Sequence, residues 1–398
     1  MRTLEFGSTC VQASAMPTDR RDPYPSTSGR AVRVFQVATG NVGREMIARI
    51  QRHTDLELVG LHCYTADKIG RDAGELAGLD PVGVVATGTV EEIIEAQPDC
   101  VTFHGVWPDF ELYERVLEAG INVVTTADWV TGHHRDTNHA HPTGRLPSEV
   151  LEDACRRGNA TYYGTGMNPG LAQILTIVHS CDVADIEKVT CTESVDVSCH
   201  HSVDTWVNCG FGAPADDPEV PRKLELGTRV FEDGVRLMAD ALGLDLDEVV
   251  FECELGATTK DVDLGWFRLP EGSVGGAAFR YVGKVAGEPR VELALEWQMT
   301  PHTDPKWDIQ GCYTTRIDGD PVIYSKHMIL PKPGTDFTSP ESFAAIGMTV
   351  TGMPALNAIR AVVEAPAGCI TSADLPLRAF AGRFRSVASL PRGSAVVR

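Results

Sequence analysis

The stretch Val34–Ile47, VFQVATGNVGREMI, decides the fold. An apolar run meets a small turn, and residues with helical spacing follow. AVRVFQVA (31–38) is apolar on both faces, as a strand buried within a parallel sheet requires. In REMIARIQRH (44–53), Met46, Ile47 and Ile50 recur at the spacing of one helix face. Between them lie Ala38, Thr39, Gly40, Asn41, Val42 and Gly43. They match the G-x-G-x-x-G fingerprint of dinucleotide binding with Ala in place of the first glycine. The second glycine lets backbone approach a pyrophosphate, and the third packs helix on strand. A glycine hexamer alone is weak, and a bare strand–helix turn would use the same residues. The flanking strand and helix raise its weight.

The alternation continues outward. LELVGLHCY (56–64), DCVTFH (99–104), INVVTT (121–126) and ATYYGTG (160–166) read as strands. TVEEIIEAQ (89–97), FELYERVLEAG (110–120) and SEVLEDACRRG (148–158) read as helices. Strand alternating with helix predicts an α/β fold, a doubly wound parallel sheet with ligands beyond the carboxyl ends of its strands. After Ile186, segments such as RVELALEWQMT and PVIYSKHMIL alternate like antiparallel strands, and 227–244 reads as an amphipathic helix. The expected organisation is a disordered extension (1–30), a Rossmann domain (31–185), an α+β domain with a mostly antiparallel sheet (186–345), and a closing helix and tail (346–398) that return to the first domain.

Composition excludes some classes. The 398 residues are 43% hydrophobic and 23% charged, ordinary for a globular chain, and carry a net charge of -20. Such a surface repels nucleic acid and anionic lipid. No run of about 20 apolar residues is apparent, so no membrane partner is expected. The first thirty residues lack a secretory h-region. Eleven cysteines without a C-x-x-C pair read as reduced, buried thiols, and the expected compartment is the cytoplasm.

Three regions carry candidate chemistry. The second strand ends LHCYTADKIGRD, with no acid at its tip to read a ribose 2′-hydroxyl. Thr65, Lys68 and Arg71 suit a 2′-phosphate, so NADP(H) is favoured and NAD(H) is the alternative. DWVTGHHRDTNHAHPTG (128–144) holds four of the twelve histidines and reads as a long loop. Its imidazoles suit proton transfer or hydrogen bonding to substrate. His139 and His141 lack a third ligand at zinc spacing, so no metal is expected. In YGTGMNPG (163–170), Asn168 reads either as a pocket residue or as a helix N-cap with Pro169 at the first helical position.

INVVTTAD (121–128), YGTGMNPG, GFGAP (210–214) and ALNAIRAVVEAPAGCITSADLP (355–376), with the glycine turn, make the chain resemble the dihydrodipicolinate reductase-like proteins. The closest branch is that of 2,4-diaminopentanoate dehydrogenase and the native amine dehydrogenases. The resemblance implies a homodimer that interconverts a primary amine and a carbonyl plus ammonia with NAD(P)(H). It places Asp128 where the family carries a glutamate that handles ammonia, followed by Trp129. It also puts GTGMNPG beside the nicotinamide and the substrate. Asp128, His133 and His134 are therefore the expected catalytic residues. Trp129, Asn168 and Pro169 are expected to contact substrate. The expected cofactor contacts are Ala38–Gly43, Thr65, Lys68, Arg71, His104 and Asn168. His200 and His201 lack the lysine that follows the reductases' histidine pair, so dihydrodipicolinate is not the expected substrate. Alternatives are a ketone or cyclic imine reductase that uses no ammonia, and a non-catalytic dinucleotide-binding protein.

Overall fold

The computed structural model describes residues 30–127, 129–138, 141–335 and 340–376, with side chains from 344 onward in the last segment. The expected N-terminal extension, apart from Arg30, lies outside the described residues, as do Asp128, His139 and the tail beyond 376.

The first sheet is parallel throughout. Its strands are β1 (Val32–Val37), β2 (Leu56–His62), β3 (Ala86–Thr87), β4 (Cys100–Phe103), β5 (Asn122–Thr125) and β6 (Thr161–Gly164). The helices between them are α1 (Asn41–Ile50), α2 (Ala73–Leu76), α3 (Val90–Ala96), α4 (Phe110–Glu118), α5 (His133–Asn138) and α6 (Pro147–Gly158). Local chemistry sets their starts. Thr89 and Glu92 form a capping box on α3, and the Asp109 carboxylate accepts the Leu112 N–H at 3.0 Å to open α4. Met46, Ile47 and Ile50 of α1 are buried on one face of the sheet. Leu112, Tyr113, Val116 and Leu117 of α4 and Leu151 of α6 are buried on the other.

The second lobe follows α7 (Ala172–His179). Its strands are β7 (Asp185–Asp196), β8 (Glu248–Thr258), β11 (Val274–Val285), β12 (Glu288–Gln298), β13 (Thr303–Asp304), β14 (Cys312–Asp320) and β15 (Ile323–Met328), with a small separate pair β9 (Val262–Asp263) and β10 (Arg268–Leu269). The sheet order is β13-β8-β11-β12-β7-β14-β15, and only the β12–β7 pairing is parallel. Helices α8 (Val203–Asn208), α9 (Val220–Thr228) and α10 (Val230–Ala241) complete the lobe. Val235 and Met238 of α10 share a core with Leu293 and Phe279 of the sheet.

The chain then returns. Helix α11 (Pro340–Glu364) buries Ala355, Leu356, Ile359 and Val362 in the core that holds Met46 and Ile47. Strand β16 (Gly368–Ile370) pairs in parallel with β6, which gives the first sheet the order β16-β6-β5-β4-β1-β2-β3. Residues 344–364 are also long and apolar enough to cross a bilayer, which the sequence reading did not register. In its most apolar window 39% is buried, and Ala355, Leu356, Ile359 and Val362 provide the part that packs with α1 and the sheet.

Candidate cofactor and active site

The glycine turn sits at the carboxyl end of β1, between β4 and β2. Ala38, where the fingerprint has its first glycine, has φ of 73°. A left-handed conformation costs a residue with a Cβ roughly 1–2 kcal/mol. The position is held by Ala38 N–H donating to the His62 carbonyl (3.0 Å) and by buried Gln36, whose Nε2 donates to the Ala38 carbonyl (3.0 Å) and the Gly43 carbonyl (2.7 Å). A Cβ on Gly43 would lie 2.3 Å from the Ala38 carbonyl oxygen, so the third glycine is sterically required. Helix α1 has no side-chain cap, which leaves its first N–H groups for an anion.

A cleft of about 420 Å³ opens there. Thr39, Gly40, Asn41 and Arg44 line it from the turn and α1, and Lys68 and Arg71 from the loop after β2, with Glu75 the one acid. Thr65 does not line this cleft, although its carbonyl accepts the Lys68 N–H at 3.0 Å. Val42 packs against the α1 core instead of facing the cleft. His104, beyond β4, is buried, with Nε2 2.9 Å from Thr102 Oγ1 and Nδ1 3.1 Å from Thr126 Oγ1. Burial pushes its pKa down to about 3, so the ring is neutral near pH 7.

The expected histidine-rich loop is in part a helix, α5. The segment leading into it is fixed by Asp233 of α10. Asp233 Oδ2 accepts N–H groups from Val130 (3.3 Å), Thr131 (3.0 Å) and Gly132 (2.8 Å), and Oδ1 accepts that of His134 (2.9 Å). His134 Nδ1 lies 3.1 Å from Oδ2. Burial would raise the Asp233 pKa. The hydrogen bonds and charge of His134 and the surrounding N–H groups more than reverse this and push it down to about 2. His134 is therefore a buried partner of a structural carboxylate. His133 is half-buried, with Nε2 3.5 Å from Glu232 Oε1 and 3.3 Å from Thr137 Oγ1, and burial lowers its pKa. Trp129, expected at the substrate, is 3% exposed and packs edge-on against Tyr162 within the core under α4 and α6. An indole buried there covers apolar surface and presents nothing to a ligand.

Asn168 is not an N-cap. Its φ and ψ are −150° and 115°, and α7 begins only at Ala172. Its side chain bridges the lobes' junction: Oδ1 accepts from Gln173 Nε2 (2.9 Å), and Nδ2 donates to Glu193 Oε2 (2.7 Å). Pro169 packs beside Gly234 of α10. Glu193, on β7, also accepts from Trp297 Nε1 at 2.8 Å. Burial raises its pKa, against hydrogen bonds from Asn168, Trp297 and Tyr313 that lower it. Sequence reasoning missed Glu193 and Asp233. A signal for Glu193 existed: it alternates with Cys191 and Val195 on one side of β7, a carboxylate in inward register.

A second opening, about 600 Å³, runs along α1. Cys199, His200 and His201 from the second lobe and Met348 of α11 face Arg44, Arg49 and Arg52 there. It shares Asn41 and Arg44 with the cofactor cleft. The structure thus brings the histidine pair towards the turn, while His133, His134 and Trp129 belong to the segment clamped by α10.

Comparison with known proteins agrees with this architecture. Residues 37–134 match the N-terminal domain of dihydrodipicolinate reductase, and residues 173–389 match the C-terminal domain of 2,4-diaminopentanoate dehydrogenase. An amine dehydrogenase of Streptomyces virginiae is 30% identical over 362 residues, 87% of this chain and 96% of that protein. Among solved structures, an amine dehydrogenase from Mycobacterium smegmatis superposes with a TM-score of 0.68 at 18% identity, covering 89% of this chain and 97% of that one. A probable dehydrogenase from Thermotoga maritima gives 0.51 at 11% identity, over 86% and 92%. The chain belongs to the family of 2,4-diaminopentanoate dehydrogenase and the amine dehydrogenases, and it is an NAD(P)-dependent oxidoreductase.

Proposed function

We propose that this enzyme interconverts a primary amine and a carbonyl plus ammonia, with NADP(H) as the preferred cofactor. The observation that carries the reading is the 30% identity to an amine dehydrogenase over 96% of that protein's length. The preference for the 2′-phosphate rests on Lys68 and Arg71, which form no ion pair among the described residues and share the cleft with Arg44. Bound nicotinamide supplies hydride to an iminium, or takes it from an amine. The protein's work is orientation and charge. The N-terminus of α1 holds pyrophosphate. Substrate enters between the lobes, by the opening that His200 and His201 share with Arg44. Asp128, directly after the strand-end sequence VVTTA, is proposed to hold ammonium, accept its proton and stabilise the cationic iminium. His133 is proposed to return a proton to the departing hydroxyl. We also infer a homodimer. The edge strand β15 and the residues after it expose Tyr324, Met328 and Leu330, and light scattering on the purified chain tests that inference.

The deciding experiment is NADPH and NADH oxidation across aldehydes, ketones and cyclic imines, with and without ammonium. Ammonium-dependent turnover supports the reading. Equal turnover without ammonium overturns it in favour of a carbonyl or imine reductase. Asp128→Asn that binds NADPH yet keeps full turnover removes Asp128 from the mechanism.

A further inference from the structure

Two carboxylates of the second lobe are buried where it meets the first, and each holds one loop at the carboxyl edge of the parallel sheet. Asp233 holds the segment after β5. Glu193, 7% exposed, holds the turn after β6. A carboxylate taken out of water persists only among donors, so the donors around Glu193 define what it fixes.

They form a relay. Gly170 N–H donates to Gln173 Oε1 (2.7 Å), Gln173 Nε2 to Asn168 Oδ1 (2.9 Å), and Asn168 Nδ2 to Glu193 Oε2 (2.7 Å). From the far side, Trp297 Nε1 of β12 donates to Glu193 Oε1 at 2.8 Å, and the Tyr313 hydroxyl of β14 donates as well. The relay thus runs from the backbone of the turn to three neighbouring strands of the second sheet. Its polarity is fixed, because every bond points towards Glu193. An ionised carboxylate accepts only, and it satisfies all three donors. A glutamine there would set an amide N–H group against a donor. The turn itself has little freedom: Gly170 has φ of 142°, and a Cβ on it would lie 2.8 Å from Thr165 Oγ1.

The place of this turn gives the relay its purpose. The order β6-β5-β4-β1-β2 sets the glycine turn at the reversal point between β4 and β1, where a dinucleotide lies with one half on either side. On the reading above, Lys68 and Arg71 mark the β2 side as that of the adenosine phosphate. The nicotinamide half then falls to the loops after β4, β5 and β6. These loops are tied to one another: His104 Nδ1 lies 3.1 Å from Thr126 Oγ1, and Thr165 N–H donates to the Thr125 carbonyl at 3.0 Å. Asp233 and Glu193 tie the last two to the second lobe.

We propose that Glu193 is a positioning residue for the nicotinamide half of the cofactor: through Asn168 it fixes the turn after β6 against the second lobe's sheet. The inference rests on NAD(P) binding and on that placement of the adenosine half, not on the use of ammonia.

The test is titration calorimetry on full-length protein with two pairs of probes: NADPH with 2′,5′-ADP, and NADH with ADP. Each pair compares a whole dinucleotide with its adenosine half, so the result does not depend on which cofactor is preferred. Glu193→Gln is expected to weaken the dinucleotide about ten-fold, the worth of one hydrogen bond, and to leave the adenosine fragment within about two-fold. Asn168→Asp sets two carboxylates face to face and is expected to act in the same direction. The double variant, Glu193→Gln with Asn168→Asp, exchanges donor and acceptor: the new amide donates to the new carboxylate, which still accepts from Gln173. It is expected to recover dinucleotide affinity to within about three-fold of wild type, as a restored pair should. Circular dichroism melts establish which variants fold. Unchanged dinucleotide affinity in folded Glu193→Gln overturns the proposal. Equal losses of dinucleotide and fragment also overturn it, since they would make Glu193 a support for the whole domain. If Glu193→Gln does not fold, the double variant carries the test: recovery of folded, dinucleotide-binding protein supports the relay, and no recovery overturns it. Wild-type protein that binds none of the four probes overturns the cofactor site itself.

Discussion

Replacing Asp233 with alanine removes one carboxylate and strands five groups at once. Four backbone N–H groups between Val130 and His134 lose their acceptor, and His134 Nδ1 loses its partner at 3.1 Å. A stranded buried donor costs about 1–3 kcal/mol, but these share one flexible segment, so the penalties do not add. Removing one member of a buried hydrogen-bonded pair costs about 3–5 kcal/mol, and we take about 4 kcal/mol for Asp233→Ala. The titration of the carboxylate provides a second route. Its pKa falls from 3.8 to about 2 on folding, which corresponds to roughly 2–3 kcal/mol. That figure counts only the charged form's advantage over the protonated form, so it belongs to Asp233→Asn, which keeps an acceptor oxygen. The sign follows from the depression. The contribution is complete above about pH 4 and disappears as pH falls through about 2, so wild type and Asp233→Asn converge in acid. Urea unfolding followed by fluorescence and circular dichroism, with coincident transitions and an unchanged m-value, measures both losses. A loss below about 1 kcal/mol in Asp233→Ala would refute the reasoning. It would mean that the segment after β5 is held by something other than α10.

Four further outcomes follow from the same geometry. Gly43→Ala drives a methyl group to 2.3 Å from the Ala38 carbonyl. It should abolish NADPH binding in whatever soluble protein is recovered, and calorimetric titration of NADPH checks this. Ala38→Gly relieves the left-handed backbone at φ 73° and should be neutral to about 1 kcal/mol stabilising, read from the urea midpoint. His104, with its pKa at about 3, should show no imidazole titration in nitrogen-15 NMR above about pH 5, and its contribution to stability should decline as pH falls below about 6.5. Lys68→Glu with Arg71→Glu should raise the KM for NADPH by at least about 100-fold while changing that for NADH far less, because charge-assisted hydrogen bonds are worth about 1.5–3 kcal/mol each.

Much of the architecture was legible in the residues of 31–166 because parallel strands and their covering helices are recorded locally. A strand buried on both faces must be apolar at every position, and a covering helix must repeat its apolar residues at 3.6. The turn at Gly40 and Gly43 was legible for a similar reason: close backbone approach excludes a Cβ whatever the rest of the chain does. The helical run His133–Asn138 was not legible. It carries no apolar stripe, and it is anchored by a carboxylate about a hundred residues away in sequence. Trp129 beside Asp128 reads as a substrate contact, and only the approach of α4 and α6 makes it core. Glu193 looks like an ordinary strand acid until Asn168, Trp297 and Tyr313, from three other elements, close around it. By itself, then, the sequence determined where backbone could bend and which faces had to be covered. The tertiary structure decided which polar groups were buried together, because a buried carboxylate survives only with donors that distant segments bring to it.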